Sequence, residues 1–281
     1  MHNSKFSGLL LVITFEYLKI FCERGDINNM SMPKELENLL EDMECIVDNE
    51  GKSKAQVKKY YDRNKTYYLK IERVNSEVER EIGMYQWLKG KLPVPAIVYQ
   101  AIIDDTSYLL MEKAKGQMLE DERFKNNPEL LVRLAAKGIN RLQRVDISEC
   151  IYNSTIEYKL MKAKEFIANG VSISIGESIY TKGISTVEDV YNYLVKHKQE
   201  EELVFTHGDY CFNNYFTDGE NITGYIDMGR GGVGDKYQDI ALCVRELRDY
   251  DSRYTDLLFE LLGIEPDYEK IKYYILLDEL F

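Results

Sequence analysis

From Ser31 onward Leu36, Leu39, Leu40 and Met43 recur at helical spacing, and the pattern then shortens to runs that favour strands. Cys45–Val47, Ala55–Tyr61 and Thr66–Ile71 read as short strands, separated by turn residues at Asp48–Gly51 and Asp62–Lys65, and predict a small antiparallel sheet. Ser76–Leu88 returns to helical period, with Val78, Ile82, Tyr85 and Leu88 on one face, and Pro93-Val94-Pro95 ends it. Ala96–Ile103 and Tyr108–Met111 add two more strands. After Gly116 the pattern becomes that of long helices, such as Pro128–Val145, and no sheet of any length is expected before residue 203. Thr186 and Asp189 have capping-box spacing at the start of a helix over Val187–His197. Leu203–Thr206, Tyr215–Thr217 and Ile222–Ile226 then read as strands, the last two joined as a hairpin through Asp218-Gly219. Asp235 with Gln238 is expected to cap a helix carrying Ile240, Ala241, Val244 and Leu247, and another helix runs from Tyr268 to the end. The layout is a β-rich small lobe with one helix over residues 31–112 and a larger, mostly helical lobe over 113–281. Residues 1–30 are expected to be a poorly ordered extension.

A chain of 281 residues with 44% hydrophobic and 30% charged positions is an ordinary globular protein, long enough for two cores sharing a cleft. Its net charge of −12 argues against nucleic acid or an anionic membrane as the main partner and for solubility or a cationic ligand. The apolar stretch Phe6–Phe15 is interrupted by Glu16 and Lys19, well short of the about 18 apolar residues that a membrane span needs. Five dispersed cysteines without a C-x-x-C pair, and only three histidines, encourage neither a disulfide framework nor zinc. A reducing, cytoplasmic setting is the expectation.

The chemistry concentrates in His207-Gly208-Asp209, with Asn214 five residues on and Asp227 ending the second hairpin strand. Folding the hairpin about Asp218–Asn221 sets Asn214 opposite Tyr225 and brings its amide oxygen near the Asp227 carboxylate, an arrangement that suits Mg²⁺. Asp209 is then left to accept a proton from an attacking hydroxyl. In the small lobe, Lys70 lies on a strand, and Glu81 falls on the inward face of its helix between Val78 and Tyr85. A half-buried glutamate needs a partner, and Lys70 is the natural one, as in the lysine–glutamate pair that holds nucleotide phosphates in kinases. Gly51-Lys52-Ser53 is the candidate phosphate loop, through backbone N–H groups and the Ser53 hydroxyl. Gly229–Gly234 matches G-x-G-x-x-G, but two helices follow it instead of a second strand, so a dinucleotide fold is set aside. Asp278, Glu279 and the Phe281 carboxylate gather negative charge at a helix end where the dipole is already negative, a placement that suits a polycationic ligand.

These segments resemble the aminoglycoside 3'-phosphotransferase family, antibiotic-resistance kinases with a bilobal, protein-kinase-like α+β fold. The resemblance runs over about residues 31–281 and rests on EVEREIGMYQWLKGKLPVP, YLLMEKAKG, EEELVFTHGDYCFNN, GYIDMGRGGVGDKYQDIALCVREL and LLGIEPDYEKIKYYILLDELF. It implies Asp209 as the catalytic carboxylate, Asn214 and Asp227 as Mg²⁺ ligands, and Lys70 with Glu81 on the phosphates of ATP, with GTP as the alternative. It further implies Tyr68 stacked on adenine, the backbone of Glu112 and Ala114 on its edge, and Ser53 over the phosphates. Arg230, Asp278, Glu279 and Phe281 would line the aminoglycoside pocket of a monomer or weak homodimer. Two departures stand out. Tyr210, Cys211 and Phe212 replace the family's small or acidic residues, and the lid at Glu165–Thr186 carries only Glu165, Glu177 and Lys182. A kinase of choline, an amino sugar or a macrolide, and a nucleotide-binding pseudokinase, are the competing functions.

Overall fold

The structure is a computed structural model, and it describes residues 32–48, 55–170, 180–184 and 186–281. The expected N-terminal extension, the Gly51-Lys52-Ser53 loop and much of the lid, Glu177 included, lie outside the described residues.

A helix α1 (Lys34–Leu40) precedes a five-stranded antiparallel sheet of β1 (Glu44–Asp48), β2 (Gln56–Tyr61), β3 (Thr66–Arg73), β4 (Ile97–Ile103) and β5 (Thr106–Glu112), in the order β1-β2-β3-β5-β4. Between β3 and β4 runs α2 (Ser76–Leu88), started by Asn75, whose side chain accepts from the N–H groups of Glu77 and Val78 at 2.8 and 3.0 Å. The alternation of side chains along a strand gives the sheet two buried faces. Leu69 and Ile71 of β3, with Tyr108 and Leu110 of β5, meet Leu36 and Leu40 of α1. Leu109 and Met111 of β5 turn the other way, into the core that contains Met84, Tyr85 and Leu88 of α2. By the same alternation Tyr68 and Lys70 of β3 face α2 and not α1.

The remainder comprises β6 (Gln117–Met118), α3 (Glu122–Lys125), α4 (Pro128–Gln143), α5 (Ile156–Ala168), α6 (Val187–Lys196), β7 (Leu203–Thr206), β8 (Tyr215–Thr217), β9 (Ile222–Tyr225), β10 (Gly232–Asp235), α7 (Tyr237–Glu246), α8 (Arg253–Leu262) and α9 (Tyr268–Asp278). Leu131, Leu134, Ile139 and Leu142 of α4 pack in one core with Phe205, Tyr215, Ile240 and Ile275. The Thr186 cap forms as the spacing predicts, its hydroxyl accepting from Asp189 N–H at 3.1 Å.

Three details differ from the sequence reading. A short strand occurs before residue 203: β6 adds to the β8–β9 hairpin, where Gln117 and Met118 pair with Thr217 and Phe216. Gly232–Asp235 of the glycine run is itself a strand, antiparallel to β7, so these glycines serve close packing. Asp235 accepts from Tyr237 N–H at 2.7 Å, but Gln238 does not complete a capping box, because its amide turns inward to Ser154 and Lys159. Among the described residues no helix is long and apolar enough to cross a membrane.

Candidate active site

The loop after β7 carries Asp209. The N–H groups of His207 and Gly208 both donate to the buried Asp239 carboxylate of α7, at 2.8 and 2.9 Å. His207 Nε2 meets the Ile226 carbonyl at 2.9 Å, and its Nδ1 accepts from Asp209 N–H at 3.3 Å. With Nε2–H donating and Nδ1 accepting, the imidazole ties the loop to the end of β9 in one tautomer. Gly208 turns the chain with φ +83°, where a side chain would collide with the Arg230 carbonyl.

Asp209 points into the space this loop leaves. Its Oδ2 accepts from Asn214 Nδ2 at 3.3 Å, and the same amide donates to the Asp209 carbonyl at 3.1 Å. Cys211 Sγ donates to the other carboxylate oxygen at 3.3 Å. Burial pushes the Asp209 carboxyl up, but Arg230, His207, the Cys211 thiol and Arg245 together outweigh it and hold the group below the ordinary aspartate value. The residue is therefore ionised at neutral pH, the state a proton acceptor requires.

Asn214 ends a short turn and its hairpin register is one residue away from the simple folding. Thr217 pairs with Ile222, but a bulge then makes Phe216 pair with Gly224 and Tyr215 with Tyr225. Asn214 accordingly stands opposite Ile226, whose N–H donates to its carbonyl at 3.0 Å, and Asp227 follows directly. Asp227 adopts a left-handed backbone with φ +59° and its N–H donates to the Tyr85 hydroxyl at 2.9 Å. Its side chain meets Lys70.

Lys70 Nζ lies 2.7 Å from Glu81, 3.2 Å from Asp227 and 3.2 Å from Glu72. The sequence pointed to the first of these partners and missed Glu72, which only the strand pleat brings to the same ammonium. Burial opposes the charge on Lys70, yet Glu81, Asp227 and Glu72 together lift it above the usual lysine value. Burial likewise raises the Glu81 carboxyl to about 7, against the pull of Lys70. Three carboxylates around one ammonium leave local negative charge that a divalent cation and the phosphates it carries would balance.

The donor set fits Mg²⁺. With the Asn214 nitrogen spent on Asp209, its amide oxygen remains as a hard ligand, and the half-exposed Asp227 supplies a carboxylate. Among the described residues no group of three or more His, Cys, Asp or Glu side chains is arranged to hold a metal by itself.

Tyr68 lies on the Lys70 face of β3, in register with Met111. Glu112 N–H is committed to the Ala96 carbonyl at 2.9 Å, so any bond from Glu112 to a nucleotide falls to its carbonyl. Ala114 is buried. Arg230 is held by Glu77 of α2 at 3.1 Å and lies 3.9 Å from Asp278. Asp278 is not the free anion that the sequence suggested: it turns inward onto Arg245 at 2.5 Å. Glu279 is half-buried, and the Phe281 ring packs edge-on against Phe166 with centroids 5.7 Å apart.

The sequence matches the APH phosphotransferase enzyme family over residues 45–274. It is 39% identical to an aminoglycoside 3'-phosphotransferase of Enterococcus faecalis, over 90% of this chain and 99% of that one. An aminoglycoside 3'-phosphotransferase of Niallia circulans is 40% identical over 89% of this chain and 97% of its own length. In fold the chain resembles a crystal structure of aminoglycoside-3'-phosphotransferase of type VIII, with a TM-score of 0.77 at 24% identity over 88% of this chain and 97% of that chain. It also resembles aminoglycoside phosphotransferase APH(3'')-Id from Streptomyces rimosus in complex with ADP and streptomycin, with a TM-score of 0.69 at 19% identity over 88% of this chain and 97% of that chain. From a matched region that holds Lys70, Glu81, Asp209, Asn214 and Asp227 alike, and from relatives that span nearly the whole chain, it follows that this protein belongs to the APH phosphotransferase enzyme family.

Proposed function

We propose that this chain is an ATP-dependent aminoglycoside 3'-phosphotransferase. The observation that carries the reading is the meeting of two clusters at one hairpin end: Asp209 bonded to Asn214, and Lys70 bonded to Glu81 and Asp227. Around them lies a chain of net charge −12, suited to a cationic acceptor.

In this reading Lys70, oriented by Glu81, holds nucleotide phosphates, with Tyr68 on the adenine face and Glu112 and Ala114 at its edge. Asn214 and Asp227 would hold Mg²⁺, which when bound neutralises charge on the transferring phosphates. The 3'-hydroxyl oxygen attacks the γ-phosphorus, the bond to the bridging oxygen breaks, and ADP leaves. Oδ1 of Asp209 takes the hydroxyl proton: its present partner is a thiol, a weak donor that an alcohol displaces, whereas Oδ2 is engaged by an amide. Arg230, Glu279 and Phe281 line the acceptor side, and Asp278 acts by fixing the two arginines. We place the enzyme in the cytoplasm, where ATP is available, as a monomer or weak homodimer.

The test is steady-state ATP and GTP consumption with Mg²⁺ against kanamycin, neomycin, an aminoglycoside lacking the 3'-hydroxyl, choline and no acceptor. Turnover with the first two that vanishes for the 3'-deoxy compound is the expected result. Turnover with choline alone would assign a different acceptor, and nucleotide binding without turnover on any acceptor would assign a pseudokinase.

A further inference from the structure

Lys159 of α5 is a charged side chain in the core, only 6% exposed, that the phosphotransfer scheme leaves unused. Its immediate neighbours are neutral. Nζ donates to the Gly208 carbonyl at 3.5 Å and to the Gln238 amide oxygen, and lies 5.4 Å from the centre of the Phe281 ring. The charged groups facing it are Asp278 from α9, Arg230 from the turn after β9, Asp239 from α7 and Asp209 from the loop after β7. Burial dominates all of them and draws the ammonium down to about 8. A methionine of similar length would fill this space at no desolvation cost.

The position explains the charge. The Gly208 carbonyl belongs to the peptide that leads into Asp209. The N–H of that peptide is held by His207 Nδ1 and the N–H of the preceding one by Asp239, so Lys159 supplies the remaining anchor on a loop whose hinge is a left-handed glycine. The same ammonium faces the Phe281 ring, which is also 6.0 Å from the Arg230 guanidinium. One side chain thus touches both the loop that carries the proton acceptor and a residue on the acceptor side.

We infer that Lys159 is a positioning residue of the phosphotransfer site, its ammonium fixing the Gly208–Asp209 peptide and seating Phe281 so that the acceptor hydroxyl meets Asp209 at a set distance. The inference rests on the reading of Asp209 as the proton acceptor. Displacement of a reacting group by about 1 Å costs on the order of 100-fold in rate. K159M is therefore expected to lower kcat/KM for kanamycin by about 10- to 100-fold while the KM for ATP stays within about twofold. Its melting temperature should not fall, because a buried charge is exchanged for a matching apolar chain.

The pH profile separates this role from mere packing. The kcat of the wild type at saturating kanamycin, which does not register titration of the free drug's amines, should decline as pH rises through about 8. The sign for stability is the opposite. A lysine whose folded-state value lies below 10.5 favours folding more as pH rises from about 8 to 10.5, so unfolding does not account for the decline. In K159R, where the cation persists, the decline near pH 8 should disappear. K159M with wild-type acceptor kinetics would overturn the inference, as would an alkaline decline that K159R leaves in place. If K159M does not fold, comparison of the wild type with K159R decides. A wild type that phosphorylates no aminoglycoside would count against the proposed function instead. The role of Lys159 is then read from the ratio of variant to wild type on the acceptor that is turned over.

Discussion

Cys211 places its thiol 3.3 Å from Oδ1 of Asp209, on the oxygen left open by Asn214. Of the three residues that replace the family's pattern here, Tyr210 and Phe212 are buried in the core, Tyr210 donating to the Ala135 carbonyl at 2.7 Å. Cys211 alone of the three meets the Asp209 carboxylate. Burial, then Asp209 and Glu246, pushes the thiol up, so it stays protonated and donates. Removal of this weak donor in C211A is expected to keep kcat within about tenfold of wild type, because a bond of this kind is worth about 1 kcal/mol. C211S, with a stronger donor that competes with the acceptor hydroxyl for Oδ1, should be slower than C211A. Initial-rate assays of the three proteins give the order, and a faster C211S would contradict it.

In the proposed function the Lys70–Glu81 pair serves the nucleotide phosphates. K70A should reduce kcat/KM for ATP by about 100-fold, the scale at which preorganised charge contributes. E81Q, which keeps an acceptor for Lys70 and removes its charge, should lose less. Equal losses in the two variants would show that the charge of Glu81, and not its hydrogen bond, orients the lysine.

Gly208 admits no side chain. With φ +83° and the Arg230 carbonyl in the path of a Cβ, G208A should be destabilised by more than about 2 kcal/mol and should lose activity even where it folds. Chemical denaturation measures the first and turnover the second. A G208A protein of wild-type stability would show that the loop has another conformation open to it.

The hairpin turn that supports Asn214 and Asp227 should carry a pH signature. Asp218 accepts from the N–H groups of Asn221 and Glu220 at 2.7 and 2.8 Å, and these bonds lower its carboxyl below 3.8. A depressed folded-state value means that the contribution is present above pH 3.8 and is lost as pH falls through the lower folded value. D218N should therefore be less stable than wild type at pH 7, with the difference narrowing in acid. Thermal melts of both proteins from pH 7 to 3 check this, and a gap that widens in acid would contradict it.

Much of this site is legible because its residues are placed by short-range periodicity. Glu81 is inward because Val78 and Tyr85 are inward, and Lys70 faces it because Leu69 and Ile71 must bury on the opposite face of β3. The register of Asn214 is not legible, since one bulged residue between Ile222 and Gly224 shifts the pairing and nothing in the local pattern requires it. Lys159 and the inward turn of Asp278 onto Arg245 depend on elements far apart in sequence. A charge pattern at the chain's end suggested an anionic patch, and tertiary packing spent one of those charges on arginines instead.

The most direct measurement is the product of the reaction itself: NMR of kanamycin incubated with Mg²⁺, ATP and either wild type or D209N. Wild type should place a single phosphate on the 3'-oxygen. D209N should bind ATP with unchanged affinity and form the same product at least about 100-fold more slowly, the loss expected when a general base is removed. A phosphate on another hydroxyl, or near-normal turnover by D209N, would contradict the assignment.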